Sequence, residues 1–370
     1  MFCQKVLGFI RKNVVMIIAF LLALVTTFFV PVDSQYLEYF DYKTLTCLFC
    51  TLAVVCALRN IKFFYTLARK VVQIFKNARM SVLALVYVTF IGSMLIANDM
   101  ALLTFLPLGF YVLSTTKKEK YMAFTFIMQN ISANLGGMLT PFGNPQNLYL
   151  YSKFNIPTLE FMGIMAIPFI VSITLLTVCC FIFVKKEPLE LSNEEFKLNP
   201  YRTAIYLILF AFSIVIVFRV IPYQIGLIVI PLALLFLDRK ALLKVDYSLL
   251  LTFVFFFIFA GNTSRIEVVR NLFSNLLEKN AFLFSVVSCQ FISNVPSAIL
   301  LSQFTSNYKA LLLGVNIGGV GTLISSLASL ITFSEYTKHN KGKGGRYIAF
   351  FSAFNFSFLI ILSIITLFII

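Results

Sequence analysis

The sequence predicts an all-α polytopic membrane protein built from two inverted repeats. Of its 370 residues, 60% are hydrophobic, and the mean hydropathy is +0.92, whereas ordinary globular domains are about 45–50% apolar. Apolar runs close to the length that an α-helix needs to cross a bilayer recur along the chain. Two of these runs are interrupted in corresponding halves, which indicates an internal repeat.

The two interruptions are rich in glycine and asparagine. Residues 134–147 read NLGGMLTPFGNPQN, and residues 316–322 read NIGGVGT. Proline removes a backbone donor and glycine costs backbone entropy, so a regular helix cannot continue through such a stretch. In a bilayer these breaks are tolerated only where protein buries them or where they line a polar cavity. Transporters build substrate and ion sites from such broken helices.

A further feature is a pair of apolar arms at 80–96 and 100–113, joined by Ala97-Asn98-Asp99. Basic residues flank both outer ends, so the positive-inside rule places both ends in the cytoplasm. The second arm has about 14 residues and is about 21 Å long, which is less than the ~30 Å hydrocarbon thickness. We therefore predict a re-entrant hairpin whose tip stops inside the membrane.

Asp99 is the only acidic residue that we place deep in the membrane. It can coordinate Na⁺ or exchange a proton, because intramembrane acids are functional by default. It can also cap the second arm of the hairpin, because Asp favours helix N-termini. We favour the functional interpretation, and the two roles are compatible. The corresponding position in the second hairpin is Val295, whose side chain cannot bind a cation.

The chain divides into two halves with the same order of elements. Asp41-Tyr42 and Asp246-Tyr247 each precede an apolar span, and an amphipathic segment, a pair of arms and a broken helix follow in each half. An additional span at 203–218 inverts the second copy. The predicted divisions are a first repeat at 1–184 (hairpin 80–113, broken helix 121–151), a cytoplasmic linker and connecting transmembrane helix at 185–221, and a second, inverted repeat at 222–370 (hairpin 281–304, broken helix 309–335).

The net charge of +15 would suggest a nucleic-acid partner in a soluble protein. Here we interpret it as topology, since lysine and arginine cluster in loops that become cytoplasmic. The pattern predicts about nine transmembrane helices and two re-entrant hairpins. The predicted location is a bacterial inner membrane. Lys5, Arg11 and Lys12 place the N-terminus in the cytoplasm, and the C-terminus is then outside.

The breaks and tips supply the candidate ligands. Half-helix N-termini offer free N–H groups and partial positive charge to an anion, and unwound carbonyls suit Na⁺. Any single asparagine can instead satisfy freed backbone groups, and Thr140 can back-bond to its own helix. The predicted substrate-binding residues are Asn134, Gly136, Gly137, Thr140, Asn144, Asn147, Asn294, Ser297, Asn316, Gly318, Gly319 and Thr322. The predicted cation-binding residues are Asn98, Asp99, Gly143, Ser293 and Asn294.

The sequence contains no P-loop, HExxH motif, nucleophile elbow or paired Cys/His metal pattern. The single histidine, His339, lies in a basic loop. We therefore predict a secondary active transporter of a small anion, coupled to Na⁺ or H⁺, with no cofactor and no other metal. The alternatives are a Na⁺/H⁺ antiporter that uses Asp99 alone, and a membrane-embedded enzyme or receptor. An enzyme would need at least two converging reactive groups, and only Asp99 is found.

The motifs of the two halves resemble the ion transporter superfamily, which includes the ArsB/NhaD permeases, citrate transporters and divalent anion/sodium symporters. The sequences of these motifs are most similar to those of short, SLC13-like bacterial permeases of the YbiR type. The residues that carry the resemblance are Asn98-Asp99 followed by Leu106-Pro107, Gly136-Gly137-x-x-Thr140-Pro141-x-Gly143-Asn144-Pro145-x-Asn147, Ser293-Asn294-Val295-Pro296-Ser297 and Asn316-x-Gly318-Gly319-x-Gly321.

The resemblance implies a scaffold, a mobile transport domain, elevator motion and a homodimer. Sodium-coupled dicarboxylate members carry Ser-Asn-Thr at both hairpin tips, whereas this chain has Ala97-Asn98-Asp99 and Ser293-Asn294-Val295. Only the asparagine is kept in both tips. Asp99 makes the first tip more similar to the ArsB/NhaD branch, whose members include arsenite efflux and sodium/proton antiport proteins.

Overall fold

The computed structural model describes residues 13–189 and 198–369 of the chain. This part is α-helical, and its only β contact is an isolated bridge between Asn77 and Pro188. Six of the described helices are long and apolar enough to cross a membrane, and three shorter ones are also apolar. The prediction of an all-α polytopic membrane protein is confirmed. Lys5, Arg11, Lys12 and residues 190–197 of the predicted linker lie outside the described residues.

The first half contains one hairpin and one broken helix. Its helices are α1 (Val14–Thr27), α2 (Tyr42–Asn60), α3 (Phe63–Gln73), α4 (Ala78–Ile96), α5 (Asn98–Thr115), α6 (Met122–Gly136), α7 (Pro145–Lys153) and α8 (Thr158–Phe183). Helices α4 and α5 form hairpin 1. Helices α6 and α7 form the first broken helix, and residues 137–144 between them are break 1. Asp41 caps α2 by accepting a hydrogen bond from the Thr44 N–H at 2.9 Å, as Asp does at helix N-termini.

The second half repeats this order after a connecting helix. Its helices are α9 (Pro200–Val217), α10 (Tyr223–Leu237), α11 (Arg239–Leu243), α12 (Tyr247–Arg265), α13 (Glu267–Ile292), α14 (Asn294–Leu301), α15 (Tyr308–Ile317), α16 (Leu327–His339) and α17 (Gly344–Leu367). Helix α13 is kinked at Asn280, where φ is −163° and ψ is 92°. Hairpin 2 consists of the part of α13 after this kink together with α14. Residues 318–326 between α15 and α16 are break 2, and Asp246 caps α12 as Asp41 caps α2.

Hairpin 1 starts at one end of the molecule. Arg79 Nε, at the start of α4, donates to the Val184 carbonyl at the end of α8 over 2.7 Å. The C-terminal end of α2 lies at the same end, where Asn60 Nδ2 donates to the Asp238 carboxylate at 2.8 Å. We call this region the hairpin-1 end.

Hairpin 2 leads into α15 at the opposite end of the molecule. Tyr308 OH, at the start of α15, donates to the Glu160 carboxylate at the start of α8 over 2.8 Å. Ser152 Oγ donates to the Asp41 carboxylate at the start of α2 over 3.3 Å. Because α2 has 19 residues and runs between the two ends, they are about 28 Å apart. The two hairpins therefore enter from opposite ends, which is the geometry of an inverted repeat.

The packing separates two groups of helices. Helix α2 packs against α9 and α10, whereas α4 packs against α6, and α13 against α15. The second arm of each hairpin crosses to the other repeat, since α5 packs on α16 and α14 packs on α7. Close approach is required at the end of α6, where a Cβ on Gly136 would lie 2.2 Å from the Phe90 carbonyl oxygen. Only glycine allows α6 to pack this tightly on α4.

Candidate functional site

The two hairpin tips have the same backbone conformation. Ala97 has φ 63° and ψ 148°, and Ser293 has φ 75° and ψ 160°. Positive φ is uncommon for residues other than glycine, and the surrounding structure must hold it in place. The repeat that the sequence suggests is therefore present at the level of individual residues.

Backbone hydrogen bonds hold each tip against the break of its own repeat. The Asn98 N–H donates to the Gly143 carbonyl at 3.1 Å, and the Asn294 N–H donates to the Ser325 carbonyl at 2.9 Å. In each tip the asparagine Oδ1 then accepts from the next backbone N–H at 2.9 Å. Those next residues are Asp99 and Val295, so the structure places Val295 at the position equivalent to Asp99.

The threonines after the glycine pairs also attach the breaks to the hairpins. Thr140 Oγ1 donates to the Met94 carbonyl at 2.7 Å, and Thr322 Oγ1 donates to the Gln290 carbonyl at 3.0 Å. Met94 and Gln290 each lie three residues before the positive-φ residue of their tip. Both threonine hydroxyls therefore stabilise the joint between hairpin and break.

Asparagine side chains connect the two repeats at the centre of the molecule. Asn316 Nδ2 donates to Asn147 Oδ1 at 2.6 Å. Asn147 Nδ2 in turn donates to three carbonyls of break 1, at distances of 3.2 to 3.4 Å. Asn134 Oδ1 accepts from Asn98 Nδ2 at 3.1 Å. These predicted ligand residues are engaged by protein groups, and Asn147 and Asn316 are almost completely buried.

Three buried oxygens around the first tip and break 1 lack a hydrogen-bond partner among the described residues. They are Asp99 Oδ1, Asn144 Oδ1 and Gln146 Oε1. Asp99 directly follows Asn98, whose N–H donates to the carbonyl of Gly143, so the tip is held against break 1 one residue before Asn144. Buried polar atoms are nearly always satisfied. An unsatisfied acceptor oxygen is a group that a cation or, at the Asp99 carboxylate, a proton completes.

Glycine makes room for one of these oxygens. A Cβ on Gly137 would lie 2.4 Å from Asn144 Oδ1. The Asn144 amide nitrogen donates to the Asn134 carbonyl at 3.1 Å, which fixes its orientation. Gly137 therefore contributes space rather than a ligand, and Gly143 contributes the carbonyl that holds the tip.

The second tip and break 2 are closed by hydroxyl groups. Ser325 Oγ donates to the Gly319 carbonyl at 2.9 Å and to the Thr322 carbonyl at 2.8 Å. Ser293 Oγ lies 3.4 Å from the Ser325 carbonyl, and Ser297 Oγ lies 2.9 Å from Ser288 Oγ. A Cβ on Gly318 would lie 2.7 Å from the carbonyl of Gly314 in α15. No carboxylate belongs to this tip, because Val295 replaces Asp99.

Sequence reasoning missed three residues that the geometry brings to the breaks. Gln146 Nε2 lies 3.5 Å from Asn316 Oδ1, and its own oxygen is one of the unsatisfied acceptors. Gln290 Nε2 donates to the Gly318 carbonyl, and Gln290 Oε1 accepts from the Thr322 N–H, both at 2.9 Å. Ser325 supplies the carbonyl that fixes the second tip. Two features of the sequence could have indicated such residues: a polar residue within an apolar arm, and a polar residue next to the Gly143-Asn144-Pro145 motif.

The described residues contain no cluster of three or more His, Cys, Asp or Glu side chains that could hold a metal ion. His339 lies at the hairpin-1 end, where its ring stacks on Phe110 at a centroid distance of 3.7 Å and contacts Glu335. It is therefore remote from the tips. The chemistry of the site depends on one carboxylate, amide oxygens and backbone carbonyls.

Two opposed hairpins that are held against two broken helices form the architecture of a secondary transporter. Comparison of sequences identifies the family: residues 3–308 match the family model described as "Citrate transporter". The chain belongs to this family, and its resemblance to the ion transporter superfamily is confirmed.

Two relatives are also named as membrane or transport proteins. The "Uncharacterized transporter MJ0456" of Methanocaldococcus jannaschii is 35% identical over 297 residues, which is 79% of this chain and 80% of the relative. The "Inner membrane protein YbiR" of Escherichia coli K12 is 28% identical over 315 residues, which is 82% of this chain and 83% of the relative. The protein is thus a multi-pass secondary transporter.

Proposed function

We propose that the protein moves a small anion, either an inorganic oxyanion or an organic carboxylate, in a cycle coupled to one Na⁺ or H⁺ at Asp99. The observation that carries the proposal is the buried, unpartnered Oδ1 of Asp99 in a tip that is held against break 1, where Asn144 begins α7 and also has an unpartnered oxygen. A cation or proton there satisfies acceptors that otherwise cost about 1–3 kcal/mol each. The second tip offers no carboxylate, which favours a single coupling cation.

The anion is supported by the half-helices that begin at Pro145 and Leu327. Helix N-termini carry partial positive charge and attract anions. Asn144 gives α7 no side-chain cap, so this terminus is the better candidate, whereas Ser326 caps α16. The family description names citrate for the family as a whole, which makes a carboxylate a reasonable first substrate to test.

The two packing groups support an elevator motion as part of the proposal. Helix α2 with α9 and α10 would form the scaffold, and the hairpins with the broken helices would form the moving part. The positive-inside rule supports a cytoplasmic hairpin-1 end, a cytoplasmic N-terminus and an outside C-terminus, in the cytoplasmic membrane of the cell. A homodimer through the scaffold is part of the same proposal, since the superfamily is often dimeric.

The test is transport in proteoliposomes with imposed Na⁺ and pH gradients and a panel of citrate, succinate, phosphate, sulfate and arsenite. We expect uptake of at least one of these solutes to depend on one gradient and to be lost in Asp99→Asn. The exposed Glu38→Gln variant is the matched control and should transport normally. Exchange of Na⁺ for H⁺ without movement of any of these solutes would replace the proposal with the antiporter.

A further inference from the structure

A cavity of about 240 Å³ lies at the hairpin-1 end, and none of its lining residues belongs to either break. It opens between the α2–α3 turn and α5, and we call it the vestibule. The residues that matter for its chemistry are Arg59, Lys62, Tyr65, Leu103 and Thr104. Pockets for drug-sized ligands are about 300–1,000 Å³. The vestibule therefore fits a small solute rather than a large one.

The lining of the vestibule carries positive charge. Arg59 and Lys62 are both exposed, and no carboxylate is among the lining residues. Arg59 Nη1 lies 3.9 Å from Met100 Sδ, so the guanidinium reaches across from α2 to α5. Two cations in a concave, partly apolar surface raise the local concentration of anions.

The vestibule and Asp99 lie along the same helix. Leu103 is four residues after Asp99 on α5, so both residues lie on one face of that helix. Thr104 is five residues after Asp99, which corresponds to about 7.5 Å along the helix axis. An anion held by Arg59 against this part of α5 is therefore close enough to interact with the Asp99 carboxylate.

We propose that the vestibule is the capture site for the transported anion at the hairpin-1 end, where Arg59 and Lys62 attract the anion. This inference rests on the proposed function and adds the route by which the anion reaches the tips. It also gives a cause for coupling. An ionised Asp99 repels the captured anion, and a cation or proton at Asp99 removes this repulsion. Two unit charges about 8 Å apart at an effective dielectric constant of about 20 change each other's affinity by roughly thirtyfold. By linkage the effect is reciprocal.

The test measures the local potential without requiring a known substrate. Leu103→Cys places a thiol in the vestibule, since Leu103 is 39% exposed. The thiol is treated in proteoliposomes of phosphatidylcholine with an anionic methanethiosulfonate, which carries a sulfonate, and with a cationic one, which carries a trimethylammonium group. The ratio of the two rates is divided by the same ratio for a free thiol in water. The parent chain reports the background from the native cysteines.

We expect the normalised ratio to favour the anionic reagent. Adding Arg59→Gln and Lys62→Gln should lower it by about tenfold, a modest effect within the 10- to 1,000-fold range of electrostatic focusing. Lys70→Gln, which removes a charge on α3 outside the vestibule, should leave the ratio unchanged. Adding Na⁺, or lowering the pH if the coupling ion is H⁺, should raise the normalised ratio, which cancels the effect of pH on the thiol itself, and Asp99→Asn should raise it permanently.

Three outcomes would overturn the proposal. A ratio that does not respond to Arg59→Gln and Lys62→Gln would show that the vestibule does not attract anions. A ratio unchanged by Asp99→Asn would remove the coupling. Loss of the preference in vesicles that contain phosphatidylglycerol would assign the vestibule to a lipid phosphate. If the ratio behaves as expected but no solute is transported under any gradient, the proposed function fails while the anion-attracting vestibule stands.

Discussion

The two hairpin tips share a backbone but differ in chemistry. Ala97 and Ser293 have the same positive-φ conformation, and the asparagine that follows each makes the same two hydrogen bonds. The first tip continues with Asp99 and leaves acceptor oxygens unsatisfied, whereas the second continues with Val295, and the serine hydroxyls of that repeat bond backbone carbonyls. The same geometry is thus present in both repeats, and only the first of the two tips carries a carboxylate.

Exchanging the chemistry of the tips should have the largest effect. Asp99→Asn keeps the size of the side chain and removes its charge, so we expect cation affinity to fall by more than about 100-fold, above the range for losing an outer-shell partner of a metal site. Thermal unfolding with and without Na⁺, and at two pH values, measures this. The protein should remain folded, because the bonds of the tip are made by backbone groups and Asn98.

The reciprocal variant, Val295→Asp, tests whether the geometry alone is sufficient. If the equivalent backbone makes a cation site whenever a carboxylate is present, this variant should gain a second cation-dependent stabilisation. If the Asp99→Asn protein keeps its full response to Na⁺ and to pH, Asp99 acts only as a helix cap. The two tips would then not differ in cation binding.

Substitutions in the two breaks should also differ in how much they lower the free energy of unfolding. Asn147→Ala removes an amide that bonds three carbonyls of break 1 and accepts from Asn316. Ser329 occupies the equivalent position after break 2, where its hydroxyl bonds Ser326 and Asn130. Unsatisfied buried groups cost about 1–3 kcal/mol each, so we expect losses of about 3 kcal/mol for Asn147→Ala and about 1 kcal/mol for Ser329→Ala.

Denaturation in detergent, followed by circular dichroism, compares these two variants. Equal losses would mean that the amide network of break 1 is no more important for stability than the hydroxyl network of break 2. If Asn147→Ala folds normally but no longer binds the anion, Asn147 is a substrate ligand.

A third comparison concerns the contact between α7 and the α9–α10 loop, which the proposed elevator motion would have to break. Arg219, in the α9–α10 loop, donates to the carbonyls of Ile156 and Tyr151, and its guanidinium lies 3.9 Å from the centroid of the Tyr151 ring. If α7 moves relative to α9, these contacts must break. Arg219→Lys keeps the charge but not the fork geometry, so we expect a few-fold faster transport or a shift in which end of the protein is accessible to thiol reagents. Transport and accessibility equal to those of the parent chain would show that α7 and the α9–α10 loop move together.

The sequence predicts the fold well because the controlling quantities are local. Apolar length and glycine-proline breaks define hairpin 1, which was predicted at 80–113 and is built from Ala78–Ile96 and Asn98–Thr115. The roles of site residues depend on contacts far apart in sequence and were harder to predict. Asn147 and Asn316 look like ligands in the sequence, yet they bond each other across the two repeats. Gln290 gives no signal of its partnership with Thr322, because only the folded hairpin brings them together.

The smallest expected effect comes from the contacts at the base of hairpin 1. Glu187 accepts hydrogen bonds from Lys118 Nζ at 2.8 Å, Lys120 Nζ at 2.6 Å and Tyr121 OH at 3.0 Å, which joins the end of the hairpin to the segment after α8. The hydrogen bonds from Lys118 and Lys120 lower the pKa of the Glu187 carboxyl from 4.5 to about 2. Because the folded pKa is depressed, the stabilisation is fully present above the unfolded pKa and is lost as the pH falls from about 4.5 to about 2.

Glu187→Gln should therefore unfold at a lower temperature than the parent chain at pH 7, and the difference should shrink as the pH approaches 2. The difference should be small, because exposed ion pairs are screened by solvent and salt. Glu119→Gln removes a carboxylate from the α5–α6 loop that carries Lys118 and Lys120, and it is the charge-matched control. Unfolding temperatures measured by circular dichroism between pH 2 and pH 7 decide the matter. A difference between Glu187→Gln and the parent chain that does not vary with pH would mean that the contacts at Glu187 stabilise the hairpin base through packing rather than through charge.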